Sequence, residues 1–410
     1  MLDLIKLARQ MQGISQHLSL EAAAAQDRVA AARGLLTIAS TRQGELVEQA
    51  QTWGDRAPFT AAQPQEPLTV RVPVAAAPEA HTVIATDGSQ ISPSHHEIAY
   101  CYLINTGRVV LHYGQGRFPL LDSLPEVVYR AEDLYLSRPW GISTEEWMGH
   151  RRTVAEAVVL AELGEAVQEA LSTGQTSPAP VPLLALTDGS LIYWFLEALP
   201  GEARDRILPP ILDAWERLRR QQIPLVGYLS ASRSGEAMNF LRFAACPFAA
   251  PDCTTHCGAN GEEQSAVARS DRAPCGGFLP LRDATFWATE LNPGERSPFW
   301  RSTASILDLY GDHRVYFCYL NVGPEVARVE VPQWVMADEG LCSRALSLVL
   351  TQVQKGYGYP VALAEAHNQA VVRGGDRTRF FALLEQEMIR AGLQNVGTSY
   401  KEARKRGSIA

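Results

Sequence analysis

The four residues Thr-Asp-Gly-Ser occur twice, each time after an apolar run. Thr86-Asp87-Gly88-Ser89 follows Val83-Ile84-Ala85, and Thr187-Asp188-Gly189-Ser190 follows Leu183-Leu184-Ala185-Leu186. Short apolar runs bounded by Gly read as buried strands. Each Asp then stands where a strand ends and the chain turns. Gly permits the turn and lets a ligand approach the backbone closely. If the two strands lie side by side in one sheet, their carboxylates converge. Converging carboxylates suit hard divalent cations. The flanks of the two copies differ, so the pair does not read as a duplication.

The rest of the chain must build that sheet. Its 410 residues suffice for one large or two ordinary domains, and 46% hydrophobic content supports a sizeable core. Residues 1–57 read as helical, with Leu2, Ile5, Leu7, Met11, Ile14 and Leu18 on one stripe. That segment serves either dimerisation or docking, or packs as a layer on the main domain. Residues 58–80, with several Pro, Gln and Ala, read as a linker. The main domain spans 81–375. Glu97–Asn105 and Arg108–Tyr113 read as a strand hairpin turning at Thr106-Gly107. A long helix is expected over 144–171, a Pro-rich linker over 172–182, and helices over 191–198 and 203–221. Strands follow at 224–230, 315–320 and 326–331, then helices at 339–356 and 361–372. Residues 376–410 read as a basic helical tail. The order implies an α/β fold, a mixed sheet flanked by helices with an N-terminal helical segment.

A net charge of −8 argues against a globally basic nucleic-acid coat but leaves room for a local basic groove. The start of the chain lacks a basic region followed by an apolar core, and no apolar stretch reaches the length of a membrane span. A cytoplasmic location without membrane association is expected.

A metal site needs more donors than two Asp. The helix between the Asp strands offers Glu145, Glu146, Glu156, Glu162, Glu165 and Glu169. Glu156 stands out as a lone acid in an apolar stretch, with Arg152 one turn earlier as its alternative partner. His367 follows an apolar helix start at Pro360 and is a candidate ligand or proton carrier. Arg233 and Ser234, after the 224–230 strand, can hold a phosphate. The tail residues Lys401, Arg404, Lys405 and Arg406 read as a phosphate-backbone contact or a solvated end. Of seven cysteines, Cys101, Cys318 and Cys342 sit among apolar residues and read as buried thiols. Cys246, Cys253, Cys257 and Cys275 cluster in an insertion at about 246–275, with His256 among them. Their spacing allows a structural zinc, an iron–sulfur cluster, or free thiols.

Taken together, both Asp-Gly-Ser segments, the helical Glu, the Tyr316–Leu320 and Ala327–Pro332 strand pair and the late Gly358-Tyr359-Pro360…Ala366-His367 segment resemble the NurA nucleases. The resemblance covers about residues 80–375. It implies an RNase H-like fold and manganese- or magnesium-dependent DNA hydrolysis. It also implies work in end resection and break repair beside a HerA-type hexameric ATPase, with homodimers natural beside a ring. By resemblance, Asp87, Glu156, Asp188 and His367 form a two-metal catalytic group, and Tyr359 and Arg233 match family positions, with Tyr359 expected to bind DNA or phosphate together with Arg233 and Ser234. The long gap before Asp188 and the cysteine insertion depart from the family pattern. Two rival readings are an actin-like phosphotransferase or ATPase and a non-catalytic docking subunit of a DNA motor. The first usually needs Gly-rich phosphate loops, which the chain lacks.

Overall fold

The computed structural model describes residues 3–93, 100–173, 181–257 and 273–392. In chain order the first elements are helices α1 (Leu4–Gln10), α2 (Ile14–Thr41) and α3 (Gln43–Trp53), followed by strands β1 (Gln63–Pro64), β2 (Val72–Pro73), β3 (His81–Ile91), β4 (Tyr102–Tyr113) and β5 (Leu120–Val128). Next come α4 (Ala131–Leu134), α5 (Thr144–Thr173), β6 (Leu183–Asp188), α6 (Gly201–Arg220), β7 (Leu225–Leu229), α7 (Glu236–Ala245) and α8 (Cys253–His256). The remainder are α9 (Asp283–Trp287), β8 (Glu295–Arg296), β9 (Trp300–Arg301), β10 (Val315–Asn321), β11 (Val326–Pro332), α10 (Gln333–Ala337), α11 (Glu339–Lys355), α12 (Val361–Ala370) and α13 (Gly374–Arg390). The chain forms two compact units: residues 1–74 with 228–333, and 75–227 with 334–410.

The second unit holds both Thr-Asp-Gly-Ser segments. Its sheet is mixed. β3 runs parallel to β6, with Thr82 to Thr86 opposite Leu183 to Thr187. On its other side β3 pairs antiparallel with β4, and β4 with β5. The two apolar runs are in the interior: Val83, Ile84, Ala85, Leu184, Ala185 and Leu186 are all fully buried. Strands covered on both faces read as continuous apolar runs, which is why these two were recognisable. The coverage comes from α5 and α12, both packed on β3 and β4, with α6 against α5. Neighbouring strand residues point to opposite faces. The Thr86 hydroxyl donates to the Glu156 carbonyl on α5 (2.9 Å), whereas Asp87 meets His367 on α12. The two helices therefore lie on opposite faces. Helix α5 is capped at its start, where the Glu146 N–H donates to the Ser143 hydroxyl at 3.1 Å.

Several sequence expectations need correction. β3 does not end at Asp87; it continues to Ile91 because β4 pairs with it along its whole length. Only the parallel pairing stops there, at Thr86–Thr187. Thr106-Gly107 is not a hairpin turn but the middle of the continuous strand β4, and the hairpin partner is β5. Gly107 lies opposite Asp87, and the α12 backbone at Ala366 and Ala370 fills the space that a side chain at residue 107 would take. Glycine breaks strands locally, but here it provides room for a helix. Glu97 and the tail cations 401–406 lie outside the described residues.

The first unit gathers the N-terminal helices around α7. Ala32, Leu36, Ala39, Leu46 and Ala50 enter one core with Phe240, Leu241, Trp287 and Trp300. The expected stripe is not part of that core: Met11, Ile14 and Leu18 are exposed. Residues 58–80 are not a bare linker. Ala62 and Leu68 are fully buried, and β1 and β2 pair with β9 and β8. Two-residue edge strands tolerate the Pro that suggested a linker. β10 and β11 form the long antiparallel pair of this unit. None of the described helices is long and apolar enough to cross a membrane.

Candidate active site

The end of the parallel β3–β6 pairing positions two carboxylates. Beyond Thr86 and Thr187 the next residue on each strand is an Asp, so Asp87 and Asp188 emerge side by side. Their proximity is electrostatic as well: the charge of Asp87 raises the pKa of Asp188. The glycines that follow play different parts. Gly189 has φ +95° and turns the chain out of β6. Gly88 has no such φ; it is a gap in the strand surface. A Cβ there would fall 2.5 Å from Arg152 Cγ and closer still to Glu156 Oε1. The glutamate on α5 thus reaches the carboxylate group through the space that a side chain at residue 88 would fill.

Of the six glutamates on α5, Glu156 alone makes this approach. Glu145, Glu146, Glu162 and Glu169 are exposed, and Glu165 forms a bidentate pair with Arg217 (2.9 and 2.6 Å). The Glu156 side chain is 21% exposed and faces Arg152 Nε at 3.3 Å. Loss of hydration, then the charges of Asp87 and Asp188, push its carboxyl up to about 7 despite Arg152 and the Gly88 N–H. Asp188 is also raised: its carboxyl loses hydration among its neighbours although the residue as a whole is open to solvent. The Tyr359 hydroxyl, donating to Asp188, and the nearby His367 hold that shift back.

His367 comes from α12. Its Nδ1 is 2.8 Å from Asp87 Oδ2, and the ring is 68% exposed. Asp87 Oδ1 accepts from the Gly88 N–H at 2.8 Å, so both oxygens are oriented. The helix itself is gripped at its C-terminal end. The Asn105 amide donates to the Ala370 carbonyl at 2.8 Å, and the Ser89 hydroxyl donates to the same oxygen. At its start, the Ala362 N–H donates to the buried Gln352 side chain (3.0 Å).

Asp87, Glu156, Asp188, His367 and Tyr359 are therefore brought together. Arg233 and Ser234 belong to the first unit, where Ser234 Oγ accepts from buried Arg328 Nη1 at 2.7 Å, while Arg233 is exposed. The four insertion cysteines also belong to that unit. Arg152 enters the group only as the counter-charge of Glu156. The close approaches at Gly88 and Gly107 had no signal in the sequence beyond the glycines themselves.

Three carboxylates and an imidazole suit manganese or magnesium in donor type. They suit it in charge as well, since three carboxylates gather here with Arg152 as the nearby cation. Among the described residues, no three His, Cys, Asp or Glu side chains close on a single point as they stand.

The profile of the NurA domain matches residues 81–372. The fold resembles the crystal structure of the NurA nuclease from Sulfolobus solfataricus, with a TM-score of 0.51 and 12% identity over 95% of this chain and 98% of that one. A structure of NurA bound to dAMP and manganese aligns over 91% of this chain and 96% of its own, at 10% identity and a TM-score of 0.34. No curated protein sequence matches the chain.

Proposed function

The chain belongs to the NurA family, and from that premise we propose that it is a nuclease that hydrolyses DNA phosphodiester bonds with manganese or magnesium. The observation that carries this reading is the convergence of Asp87, Glu156 and Asp188 at the end of the parallel β3–β6 pairing, with His367 on Asp87. Asp87, Glu156, Asp188 and His367 would hold the cation or cation pair. When bound, such a cation lowers the pKa of water and stabilises the charge that develops on the phosphate oxygens.

The protein's own residues do the rest. The Gly88 N–H and His367 fix the rotamer of Asp87 from its two oxygens. Tyr359 orients Asp188. Glu156, whose carboxyl burial pushes up to about 7, would give up its proton on holding a cation, so cation binding should strengthen as pH rises toward 7. His367, exposed and bonded to Asp87, is proposed to pass a proton between solvent and the leaving 3′ oxygen. Arg233 is proposed to contact phosphate, and Ser234 to hold the loop that carries it, since its hydroxyl is engaged by Arg328.

The finer reading follows the family: exonuclease or single-strand endonuclease action in cytoplasmic end resection, as a homodimer beside a HerA-type hexameric ATPase. The test is to incubate the purified chain with labelled linear single- and double-stranded DNA, with and without Mn²⁺, and with ATP in a parallel arm. Manganese-dependent shortening or nicking supports the proposal. ATP hydrolysis without DNA cleavage would favour the phosphotransferase reading instead.

A further inference from the structure

The insertion of the first unit brings four thiols to one place. Cys246 ends α7, Cys253 opens α8, Cys257 closes it, and Cys275 sits in a short 3-10 turn at Pro274–Gly276. Cys253 and Cys257 are four residues apart on one helical turn, with the Cys257 N–H donating to the Cys253 carbonyl at 3.0 Å. The turn is fixed by Asp252, whose carboxylate accepts from the Thr255 N–H (3.1 Å) and hydroxyl (2.8 Å) and pairs with Arg56. All four cysteines line a single cavity with Pro247, Phe248 and Pro274. No disulfide joins them.

We propose that Cys246, Cys253, Cys257 and Cys275 bind one structural zinc ion that clamps the base of the insertion to the end of α7. Four sulfur donors drawn from three segments are the donor set of closed structural zinc sites. His256 is stacked on Phe248 at 4.1 Å between ring centres and is left as a neighbour, not a ligand. The Arg242 guanidinium, 3.6 Å from Cys275 Sγ, offsets part of the net negative charge of a four-thiolate zinc centre. As they stand, the four thiols do not close on a single point. Each gives its proton to solvent as it ligates, and the four then draw together on the ion.

The test uses the full chain, purified without chelators or an immobilised-metal column. Elemental analysis should find about one zinc per chain, and cobalt substitution should give thiolate charge-transfer absorption. The Cys253→Ser/Cys257→Ser variant should lose the zinc and melt at lower temperature. Should that variant fail to fold, thiol titration of the wild type decides: four thiols protected until a chelator is added. Iron in place of zinc, a disulfide among the four, or four freely reacting thiols with no metal would each overturn the proposal.

Discussion

Adding one methyl group at Gly107 should disable the site without unfolding the protein. Residue 107 lies opposite Asp87 in the β3–β4 register. A Cβ there would fall 2.5 Å from the Ala370 nitrogen, and closer still to the Ala366 carbonyl oxygen. Both are backbone atoms of α12, so no side-chain rotation relieves the overlap. Ordinary contact starts near 3.4 Å, so the helix must retreat by about 1 Å. His367 follows Ala366 directly, and its 2.8 Å bond to Asp87 Oδ2 would stretch past hydrogen-bonding range. Overpacking of this kind costs about 1–3 kcal/mol. Misplacing a catalytic group by about 1 Å costs up to about 100-fold in rate. Gly107→Ala should therefore lose roughly 10- to 100-fold in manganese-dependent cleavage while shifting the melting temperature by only several degrees. The double variant Gly107→Ala/His367→Ala should be no slower than His367→Ala alone, because both changes act through one contact. Full activity in Gly107→Ala, or the same fold-loss with His367 already removed, would refute the reasoning.

Three further outcomes follow from the same geometry. In Gly88→Ala the new methyl meets the carboxylate of Glu156 and the stem of Arg152, both side chains rather than backbone; the protein should stay folded, but cleavage should fall about 100-fold as the carboxylate is expelled, read by circular dichroism beside nuclease rates. Tyr359→Phe removes the hydroxyl that holds Asp188 toward its charged form, so cleavage should drop and its pH profile should move to higher pH. Fully buried Asp283, whose carboxylate accepts from Tyr319 (2.7 Å) and from the Ala237 and Met238 N–H groups, is pushed up to about 6 by burial. Its folded pKa exceeds the unfolded one, so its stabilisation is complete below about pH 4 and is lost as pH rises through about 6, by up to about 3 kcal/mol. Asp283→Asn should gain on the wild type by that order between pH 4 and 7 in denaturant titrations; an unchanged gap would exclude this titration.

The sequence exposed the parts of the site that depend on local pattern. Two apolar runs ending in Asp implied neighbouring strands, and the structure pairs β3 with β6 in parallel. Glu156 was distinguishable because it interrupts an apolar helix face. What stayed hidden depends on contacts between distant segments. Gly88 and Gly189 occupy equivalent places in identical motifs, yet one admits a glutamate and the other turns the chain. Thr106-Gly107 had the local signature of a turn, and only the approach of α12 explains a glycine inside β4. Arg328 and Glu330 alternate with apolar residues as on a solvated strand face, yet they are 2% and 1% exposed. They pair with each other at 2.7 Å, and Arg328 also pairs with Glu236 at 3.0 Å. Alternation shows that a face is polar; it does not show whether that face meets water or a buried counter-charge.

If the carboxylate group at the end of the β3–β6 pairing is the centre of DNA hydrolysis, cleavage depends on the charge of Asp87. Asp87→Asn keeps the size of the side chain and removes that charge. The measurement is the rate of manganese-dependent cleavage of labelled linear DNA by wild type and variant, with DNA affinity measured on the same samples. The wild type should cleave in a manganese-dependent manner and Asp87→Asn should show no detectable cleavage, with DNA binding largely retained. Cleavage by the variant at the wild-type rate would contradict that dependence.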